Sequence, residues 1–559
     1  MPSFTSPGAA AGSPGKREPV SGPYYAPRHE RLRGAKLSGR GDRPVSEVAG
    51  PDPPAVPAGA ISAAEERFDR RRRTAGLFLG PALFLFLLLL PPAGLSPAGG
   101  RLLAVVALTV VWWVTEPVPI PVTAVLGPAL TVVLGVTGPK DAFAPFGDPV
   151  IFLFLGSFLL AEAMSAHGVD RRIALALLST RTFGSSLARL VAGFALLSAA
   201  LSMWLSNTAT TAMLYPIALG VLAALRGAGA GAAEGSGPGR AARVALLLAC
   251  AYGSSIGGIG TPVGTPPNLI ALGQLEALAG VRIPFFRWMA MAVPLLLVTL
   301  AFAVAYLVRP LRARGPALAA ARPALVEERR AQGAWSRGQR NVVFVFAATV
   351  ALWILPGLAA AVAGPGGRAE RLAAALPEAV VAVLSGMALF ALPVSWAERR
   401  FTLAWSDAVR IDWGTLLLFG GGLSLGGAMF RTGLADALGR GLVGATGART
   451  EIALVFLFGV VAIYLTEVTS NTATATMLVP LAIATARSAG LDPVAPALSA
   501  AIGCSMAFML PVATPPNAIV YGSGRIRITE MARAGFVMNL AVSVIVPLGV
   551  LLLVRVLPR

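Results

Sequence analysis

The sequence predicts an all-α protein that crosses a membrane about eleven times and carries two re-entrant hairpins in inverted-topology repeats. Three observations lead to this fold class. The 559 residues are 55% hydrophobic and only 13% charged, whereas a soluble domain carries about 25% charged residues. Apolar runs of the length that a spanning helix needs recur along the chain, and two halves of the chain share motifs in the same order. This composition excludes a soluble multidomain enzyme and an intrinsically disordered protein.

Residues 1–74 are predicted to form a disordered cytoplasmic tail. They are rich in Pro, Gly, Ser and Arg and have almost no apolar periodicity. No apolar stretch follows Met1, so no signal peptide is expected. The first apolar run begins near Leu77, directly after the four arginines at 70–73. Arginines flanking a span favour the cytoplasmic side, which places the N-terminus inside.

Eleven spans are expected after this tail, near 77–93, 102–115, 118–137, 148–166, 243–275, 288–308, 341–364, 377–393, 412–430, 494–522 and 534–556. Three prolines follow Glu116 and are interpreted as a turn between two short helices, not as a proline-broken helix. The resulting division is a first repeat with an extra N-terminal helix and the first hairpin (75–310), a cytoplasmic linker (311–340), and a second repeat with the second hairpin (341–559). The arginine-rich linker then lies on the cytoplasmic side, as the positive-inside rule requires. Arg431, Arg440 and Arg449 fall on the opposite side, which disagrees with that rule.

The net charge of +19, from 46 Lys and Arg against 27 Asp and Glu, is interpreted as a topology signal, and no nucleic-acid partner is expected. The cysteines, Cys250 and Cys504, lie in apolar runs, which argues against a disulfide framework or a cysteine zinc site. The two histidines, His29 and His167, are far apart in the sequence. The expected partners are therefore the lipid bilayer and small ions.

The internal repeat is carried by two sequence motifs. Ser206–Thr210 recurs letter for letter as Ser470–Thr474, and Gly264–Asn268 recurs with one change as Ala513–Asn517. The run 154–164 in the fourth span also resembles 418–429 in the ninth. Five spans separate the fourth span from this repeat mate, so the two halves enter the membrane with opposite polarity. In inverted repeats of this kind the binding site lies near the midplane and is built from interrupted helices of both halves.

The repeated segments have the chemistry of an ion site. The uncharged stretch 190–225 has a cluster of hydroxyls and one amide at its centre, which predicts a re-entrant hairpin with a polar tip. Each Pro-Pro pair leaves carbonyls near Gly264 and Ala513 without helical partners, and hard cations take such oxygen ligands. No Lys or Arg occurs in 190–225, 244–274 or 494–524. An anion bound there needs cations as counter-charge, and this coupling must be reciprocal.

These residues resemble the divalent anion/sodium symporters, a family of sodium-coupled dicarboxylate, citrate and sulfate transporters, over about residues 77–556. The stretch from Glu116 to Thr123 is also similar to the family. The resemblance implies an elevator-type homodimer in the cell (inner or plasma) membrane that transports dicarboxylates such as succinate, malate or fumarate together with sodium. The implied sodium ligands are Ser202, Ser206, Asn207 and the carbonyl of Gly264 in the first site, and Thr466, Thr469, Asn471 and the carbonyl of Ala513 in the second. The implied anion-binding residues are Asn207, Thr208, Thr265, Asn471, Thr472, Thr514 and Pro515.

Several alternatives stay open at this point. Glu467 in the second hairpin and Glu162 in the fourth span are intramembrane carboxylates, which default to functional hypotheses and keep a proton-coupled carrier of the same fold open. An anion exchanger and a sulfate or arsenite permease are further alternatives. An intramembrane enzyme fits poorly, because a Ser or Thr nucleophile would have no nearby His and no HExxH pair occurs. A channel fits poorly because broken helices in inverted halves suit an occluding gate.

Overall fold

The computed structural model describes residues 63–180, 182–183, 186–227, 237–311, 321–363 and 375–556. The first part of this chain is helical throughout. Its helices are α1 (Ala63–Leu89), α2 (Pro97–Thr115), α3 (Ile120–Val133), α4 (Pro139–Phe143), α5 (Pro149–Ala166), α6 (Val169–Leu178), α7 (Leu187–Ser202), α8 (Asn207–Gly227), α9 (Gly237–Gly258), α10 (Pro266–Gln274), α11 (Phe285–Val308) and α12 (Ala321–Ala331). Short 3-10 turns follow α4 and α11, and a π-turn follows α10.

The second part of the chain repeats this helical organisation. Its helices are α13 (Arg337–Ala363), α14 (Glu378–Ala391), α15 (Trp405–Ala408), α16 (Trp413–Arg431), α17 (Leu434–Thr446), α18 (Glu451–Leu465), α19 (Asn471–Ser488), α20 (Val494–Gly503), α21 (Pro515–Tyr521) and α22 (Ile528–Val556). Between α14 and α15 two short antiparallel strands, β1 (Pro393–Ser395) and β2 (Arg400–Phe401), form a hairpin. They belong to a connection and not to the core.

Nine helices in the described parts of the chain are long and apolar enough to cross a membrane, or ten if α17 and α18, bent by 97°, form one span. Eight of the predicted spans fall on such helices. The other three, 118–137, 377–393 and 494–522, contain the shorter apolar helices α3, α14 and α20. The ninth long helix is α8, the second arm of the predicted first hairpin. The predicted polytopic helical fold is confirmed.

The N-terminal boundary in the sequence prediction was wrong. Helix α1 begins at Ala63, so residues 63–74 are helical and not part of a disordered tail. The reason is local charge pairing, because Asp69 lies 2.7 Å from Arg72 and 2.8 Å from Arg73 at helical i+3 and i+4 spacing. The remainder of the predicted tail, 1–62, lies outside the described residues.

The predicted linker also contains helical structure. Residues 312–320 lie outside the described part, but α12 follows directly and α13 already begins at Arg337. Helix α12 packs against α6 and α8, and its Glu328 forms an ion pair with Arg171. This connection is therefore attached to the helical core.

The turn predicted after Glu116 is confirmed. Helix α2 ends at Thr115, and α3 begins at Ile120. Glu116 adopts a left-handed backbone with φ of 49°, and its N–H donates to the carbonyl of Trp112 over 2.9 Å. The prolines that follow cannot continue helix α2, so the chain reverses here.

Close helix packing surrounds the two hairpins. Gly253 and Gly257 lie four residues apart on α9, and a Cβ at either would overlap the backbone of α7 at Ala195 or Ala199. Small residues at this spacing let two membrane helices approach closely. Helix α10 packs against α19, and α21 packs against α8. Each broken helix therefore contacts the hairpin of the other half.

Two sequence runs have the spacing of a serine-hydrolase nucleophile elbow, Gly-x-Ser-x-Gly, at 253–257 and 422–426. They lie inside α9 and α16, and both Ser255 and Ser424 are buried. The elbow of a hydrolase requires an exposed serine on a tight turn between a strand and a helix. Neither run therefore supports an enzyme.

Candidate functional site at the two hairpin tips

The first tip lies between α7, which ends at Ser202, and α8, which begins at Asn207. The buried hydroxyl of Ser202 donates to Oδ1 of Asn207 over 2.6 Å. Ser206 caps the new helix, because its Oγ accepts from the amide of Ala209 over 3.2 Å. The N-terminus of α8 carries partial positive charge, so the tip combines oxygen ligands for a cation with an environment that favours an anion.

The first helix break faces this tip. The amide of Asn268 donates to the carbonyls of Gly258 over 2.9 Å and Thr261 over 2.7 Å, which fixes the loop between α9 and α10. A Cβ added to Gly264 would lie 2.5 Å from the Gly258 carbonyl oxygen, 2.9 Å from that of Ser202 and 3.0 Å from that of Met203. Three backbone oxygens from two segments thus converge beside Gly264. This donor set suits a hard cation.

The second tip repeats the arrangement of the first. The hydroxyl of Thr466, at the end of α18, donates to Oδ1 of Asn471 over 2.6 Å and also approaches the carbonyl of Cys504 at 2.9 Å. Thr469 bonds to Thr474 over 2.5 Å. Asn471 is the first residue of α19, as Asn207 is of α8. The same contact between hydroxyl and amide therefore occurs in both halves at the same length.

The second helix break also repeats the first, with one difference. The amide of Asn517 donates to the carbonyls of Ala507 over 3.3 Å and Leu510 over 3.1 Å. Thr514 accepts from the backbone amide of Asn517 over 3.3 Å and so caps α21, whereas Thr265 makes no such cap bond at α10. Both threonine side chains are buried, at 3% exposure for Thr265 and 4% for Thr514.

The structure brings five of the predicted residues together in two clusters. Ser202, Asn207 and Gly264 meet at the first tip, and Thr466 and Asn471 meet at the second. Ala513 is buried in the broken segment between α20 and α21. The side chain of Ser206 differs, because it is exposed and used as a helix cap. The remaining predicted residues line the helix starts: Thr208 and Thr472 half-buried, Thr265 and Thr514 buried, and Pro515 exposed.

Glu467 has a role that its sequence position alone does not reveal. It is 4% exposed, and its carboxylate accepts from the amides of Phe508, Met509 and Leu510 and from the side-chain amide of Asn539. The lone charge in an apolar hairpin was the available signal for Glu467. Asn539, on α22, carried no signal, because one amide in a long apolar helix is unremarkable in sequence.

Arg72 was interpreted from the sequence only as a topology signal. Its guanidinium Nη1 donates to the carbonyl of Val468, at the second tip, over 3.3 Å. Arg72 also lies 3.9 Å from Glu116 and 2.7 Å from Asp69, so its charge is partly compensated. Helix α1 therefore contacts the second hairpin directly.

The comparison with known families decides which proteins this chain is related to. The family model described as the sodium:sulfate symporter transmembrane region matches residues 71–556. The chain belongs to this family. The predicted resemblance is thus confirmed, and a symporter family agrees with a multi-pass membrane transporter and not with an enzyme.

Two curated relatives and one solved structure are similar to this chain. The sodium-dependent dicarboxylate transporter SdcS of Staphylococcus saprophyticus is 35% identical over 483 residues, which cover 86% of this chain and 91% of the relative. SdcS of Staphylococcus aureus strain USA300 is 33% identical over 479 residues, or 85% of this chain and 90% of the relative. The crystal structure of the Alcanivorax borkumensis YdaH transporter shares the fold, with a TM-score of 0.53 and 17% identity over 86% of this chain and 97% of that chain.

Proposed function

We propose that this protein is a secondary active transporter that carries dicarboxylates of the succinate, malate and fumarate type together with sodium across the cell membrane. The observation that carries the proposal is the repeated tip geometry, in which Ser202 bonds Asn207 and Thr466 bonds Asn471, both over 2.6 Å. The SdcS relatives are sodium-dependent dicarboxylate transporters by name, which supports the substrate class and the cation.

Each tip holds one sodium ion in this proposal. The ligands are hydroxyl, amide and backbone carbonyl oxygens, which hard cations prefer. The proposed ligands are Ser202, Ser206, Asn207 and the Gly264 carbonyl at the first tip, and Thr466, Thr469, Asn471 and the Ala513 carbonyl at the second. The carbonyls that converge beside Gly264 support the first site, and the bond from Thr466 to Asn471 supports the second.

The anion lies between the two tips and is bound by Asn207, Thr208, Thr265, Asn471, Thr472, Thr514 and Pro515. Burying an unpaired carboxylate costs several kcal/mol, whereas a helix N-terminus contributes about 0.3 to 2 kcal/mol. The N-termini of α8 and α19 are therefore too weak to hold a dianion alone. Bound sodium supplies the missing charge, and each ligand raises the affinity of the other.

Uptake of radiolabelled succinate into proteoliposomes tests the proposal. We expect uptake under an inward sodium gradient and none when potassium replaces sodium. Asn207→Ala and Asn471→Ala should each abolish uptake, because one amide serves both ligands through its oxygen and its N–H groups. Asn341→Ala is the matched control, since that amide bonds Pro393 and Thr402, away from the tips.

Other outcomes would identify the alternatives. Sodium-independent uptake that internal succinate stimulates would establish exchange. Uptake driven by an acid exterior without sodium would establish proton coupling. Near-normal uptake by Asn207→Ala would remove the first hairpin from the site.

A second candidate substrate is sulfate, because the matched family is described as sodium:sulfate symporters. Both candidates are dianions that hydroxyl and amide donors can bind. Competition separates them: excess unlabelled succinate should suppress labelled uptake, whereas excess sulfate should not. The reverse order of potency would assign the protein as a sulfate carrier.

The orientation and assembly also belong to this proposal. The N-terminus is cytoplasmic, and the arginines at 70–73 support this through the positive-inside rule. The protein is a homodimer. Each chain contains a first repeat that ends at 310 and a second repeat at 341–559, joined by 311–340, and the matching order of hairpin and broken helix in both halves supports this division. Impermeant labelling of an N-terminal cysteine in oriented vesicles and the mass of the purified protein by light scattering test these two points.

A further inference from the structure

We propose that Glu467 is a positioning residue, which fixes the broken segment between α20 and α21 so that the Ala513 carbonyl faces the second sodium site. This inference rests on the proposed sodium-coupled symport. The Glu467 carboxylate accepts from the amides of Phe508 over 2.7 Å, Met509 over 2.9 Å and Leu510 over 3.0 Å. Three consecutive backbone donors that a helix break leaves unpaired are thus satisfied by one side chain.

A short chain of bonds connects Glu467 to Ala513. The amide of Leu510 donates to Glu467, and the carbonyl of Leu510 accepts from the amide of Ala513 over 3.2 Å. The same carbonyl accepts from the side-chain amide of Asn517 over 3.1 Å. Both the N–H and the carbonyl of Leu510 are therefore hydrogen-bonded. Two hydrogen bonds connect Glu467 to Ala513, so the position of Leu510 sets that of the proposed sodium ligand, the Ala513 carbonyl.

The neighbouring residue holds the start of the same segment. Thr466 donates to the carbonyl of Cys504 over 2.9 Å and to Asn471 over 2.6 Å. Asn539 on α22 adds a fourth donor to Glu467 over 2.7 Å. Two adjacent hairpin residues thus attach the broken segment at its start and in its middle, with support from a third helix.

The first half of the chain solves the same problem without a carboxylate. Met203 occupies the position that matches Glu467, and a Cβ on Gly260 would lie 2.9 Å from Cγ of Met203. Thr261 donates its hydroxyl to the Met203 carbonyl. The Asn268 amide, the Thr261 hydroxyl and packing hold the first break without a carboxylate, so the role of Glu467 belongs to the second sodium site alone.

The partners of Glu467 fit the ionised carboxylate. All four are donors, and an ionised carboxylate is an acceptor only, whereas a protonated one needs an acceptor for its own proton. In the structure all four partners present an N–H group to the carboxylate. This arrangement favours a fixed anchor over a group that gains and loses a proton during transport.

Sodium activation of succinate uptake by the full-length protein in proteoliposomes tests the inference. Glu467→Gln keeps the size of the side chain but turns one acceptor into a donor facing the amides. We expect its half-saturating sodium concentration to rise at least about tenfold, because bonds to a charged group each contribute an order of magnitude or more to an equilibrium constant. At saturating sodium its succinate KM should stay close to that of the unaltered protein.

Two further variants make the result specific. Asn539→Ala removes one of the four donors and should also raise the half-saturating sodium concentration, by a smaller factor. This variant tests the inference even if Glu467→Gln fails to fold. Glu162→Gln removes a carboxylate of α5 that lies 3.8 Å from Arg410, in the connection between α15 and α16. That control should leave half-saturating sodium unchanged.

Three results would overturn the inference. The first result is an unchanged half-saturating sodium concentration in both Glu467→Gln and Asn539→Ala while the unaltered protein depends on sodium. It would overturn this inference but not the proposed function. Loss of the pH dependence of uptake in Glu467→Gln would identify Glu467 as a proton carrier instead. Sodium-independent uptake by the unaltered protein would overturn the proposed function and this inference together.

Discussion

At the scale of single residues, the two threonines before the Pro-Pro pairs are equivalent in sequence but not in structure. Thr514 accepts a bond from the amide of Asn517, whereas Thr265 makes no side-chain cap bond. Both are almost fully buried. A substitution at Thr265 therefore removes only the proposed ligand contact, while the same substitution at Thr514 also removes a helix cap.

Thr265→Val should weaken succinate binding without affecting sodium. Valine has nearly the shape of threonine, so the expected loss is that of one hydrogen bond to a charged ligand, about 1 to 3 kcal/mol or roughly 5- to 150-fold in succinate KM. The measurement is uptake as a function of succinate at saturating sodium. An equal loss of sodium affinity, measured by sodium binding without succinate, would show that Thr265 serves the cation.

At the scale of structural elements, the breaks between α9 and α10 and between α20 and α21 create the site. Prolines at the first two positions start α10 and α21 anew, which is where a helix tolerates proline. Two residues after the first proline, each half has an asparagine, Asn268 or Asn517. Its side-chain amide donates to two backbone carbonyls of the preceding loop. Each break therefore has a defined, hydrogen-bonded loop conformation.

Gly264→Ala should abolish sodium-dependent uptake. The added methyl group would lie 2.5 to 3.0 Å from three carbonyl oxygens, so the backbone would have to move where the first sodium is proposed to bind. Gly220→Ala is the matched control, because a Cβ there has no atom within 4 Å and alanine favours helix by up to about 1 kcal/mol. Sodium-dependent uptake by Gly264→Ala comparable to that of the control would exclude the Gly264 carbonyl from the site.

At the scale of the whole molecule, the contact between α1 and the second tip joins parts of the chain that an elevator mechanism would separate. Arg72 and Val468 are 396 residues apart in sequence and bond over 3.3 Å. Val468 is 52% exposed. If the hairpins move relative to α1 during transport, this bond must break in each cycle.

A reversible bifunctional thiol reagent that joins Arg72→Cys to Val468→Cys should stop uptake, and a reducing agent should restore it. The native cysteines, Cys250 and Cys504, are fully buried, so they should not compete for the reagent. The two single-cysteine variants treated in the same way serve as controls. Full uptake by the cross-linked protein would mean that α1 and the second hairpin move as one body.

Transport should also respond to membrane potential. A site that uses sodium as counter-charge should move more positive than negative charge with each dianion, and the potential contributes about 2.3 kcal/mol per elementary charge per 100 mV. Succinate uptake should therefore accelerate when potassium and valinomycin make the vesicle interior negative. An unchanged rate would indicate an electroneutral cycle.

The sequence by itself determined the features that depend on neighbouring residues. Hydropathy placed most of the spans, because the bilayer core requires apolar runs wherever the chain crosses it. The repeated Ser-Asn-Thr and Pro-Pro-Asn motifs located the hairpin tips and helix breaks, since proline and capping residues act on their own backbone. The start of α1 was placed too late because ion pairs around Asp69 extend the helix beyond its apolar part.

Only the tertiary structure decided which distant groups meet. Glu467 could be singled out in the sequence, but its donors lie 41 to 72 residues away, and the bond from Arg72 spans most of the chain. The carbonyls beside Gly264 come from two segments whose approach depends on the packing of α7 against α9. A backbone group carries no residue-specific signal, so its partner is set by how the helices pack and not by the local sequence.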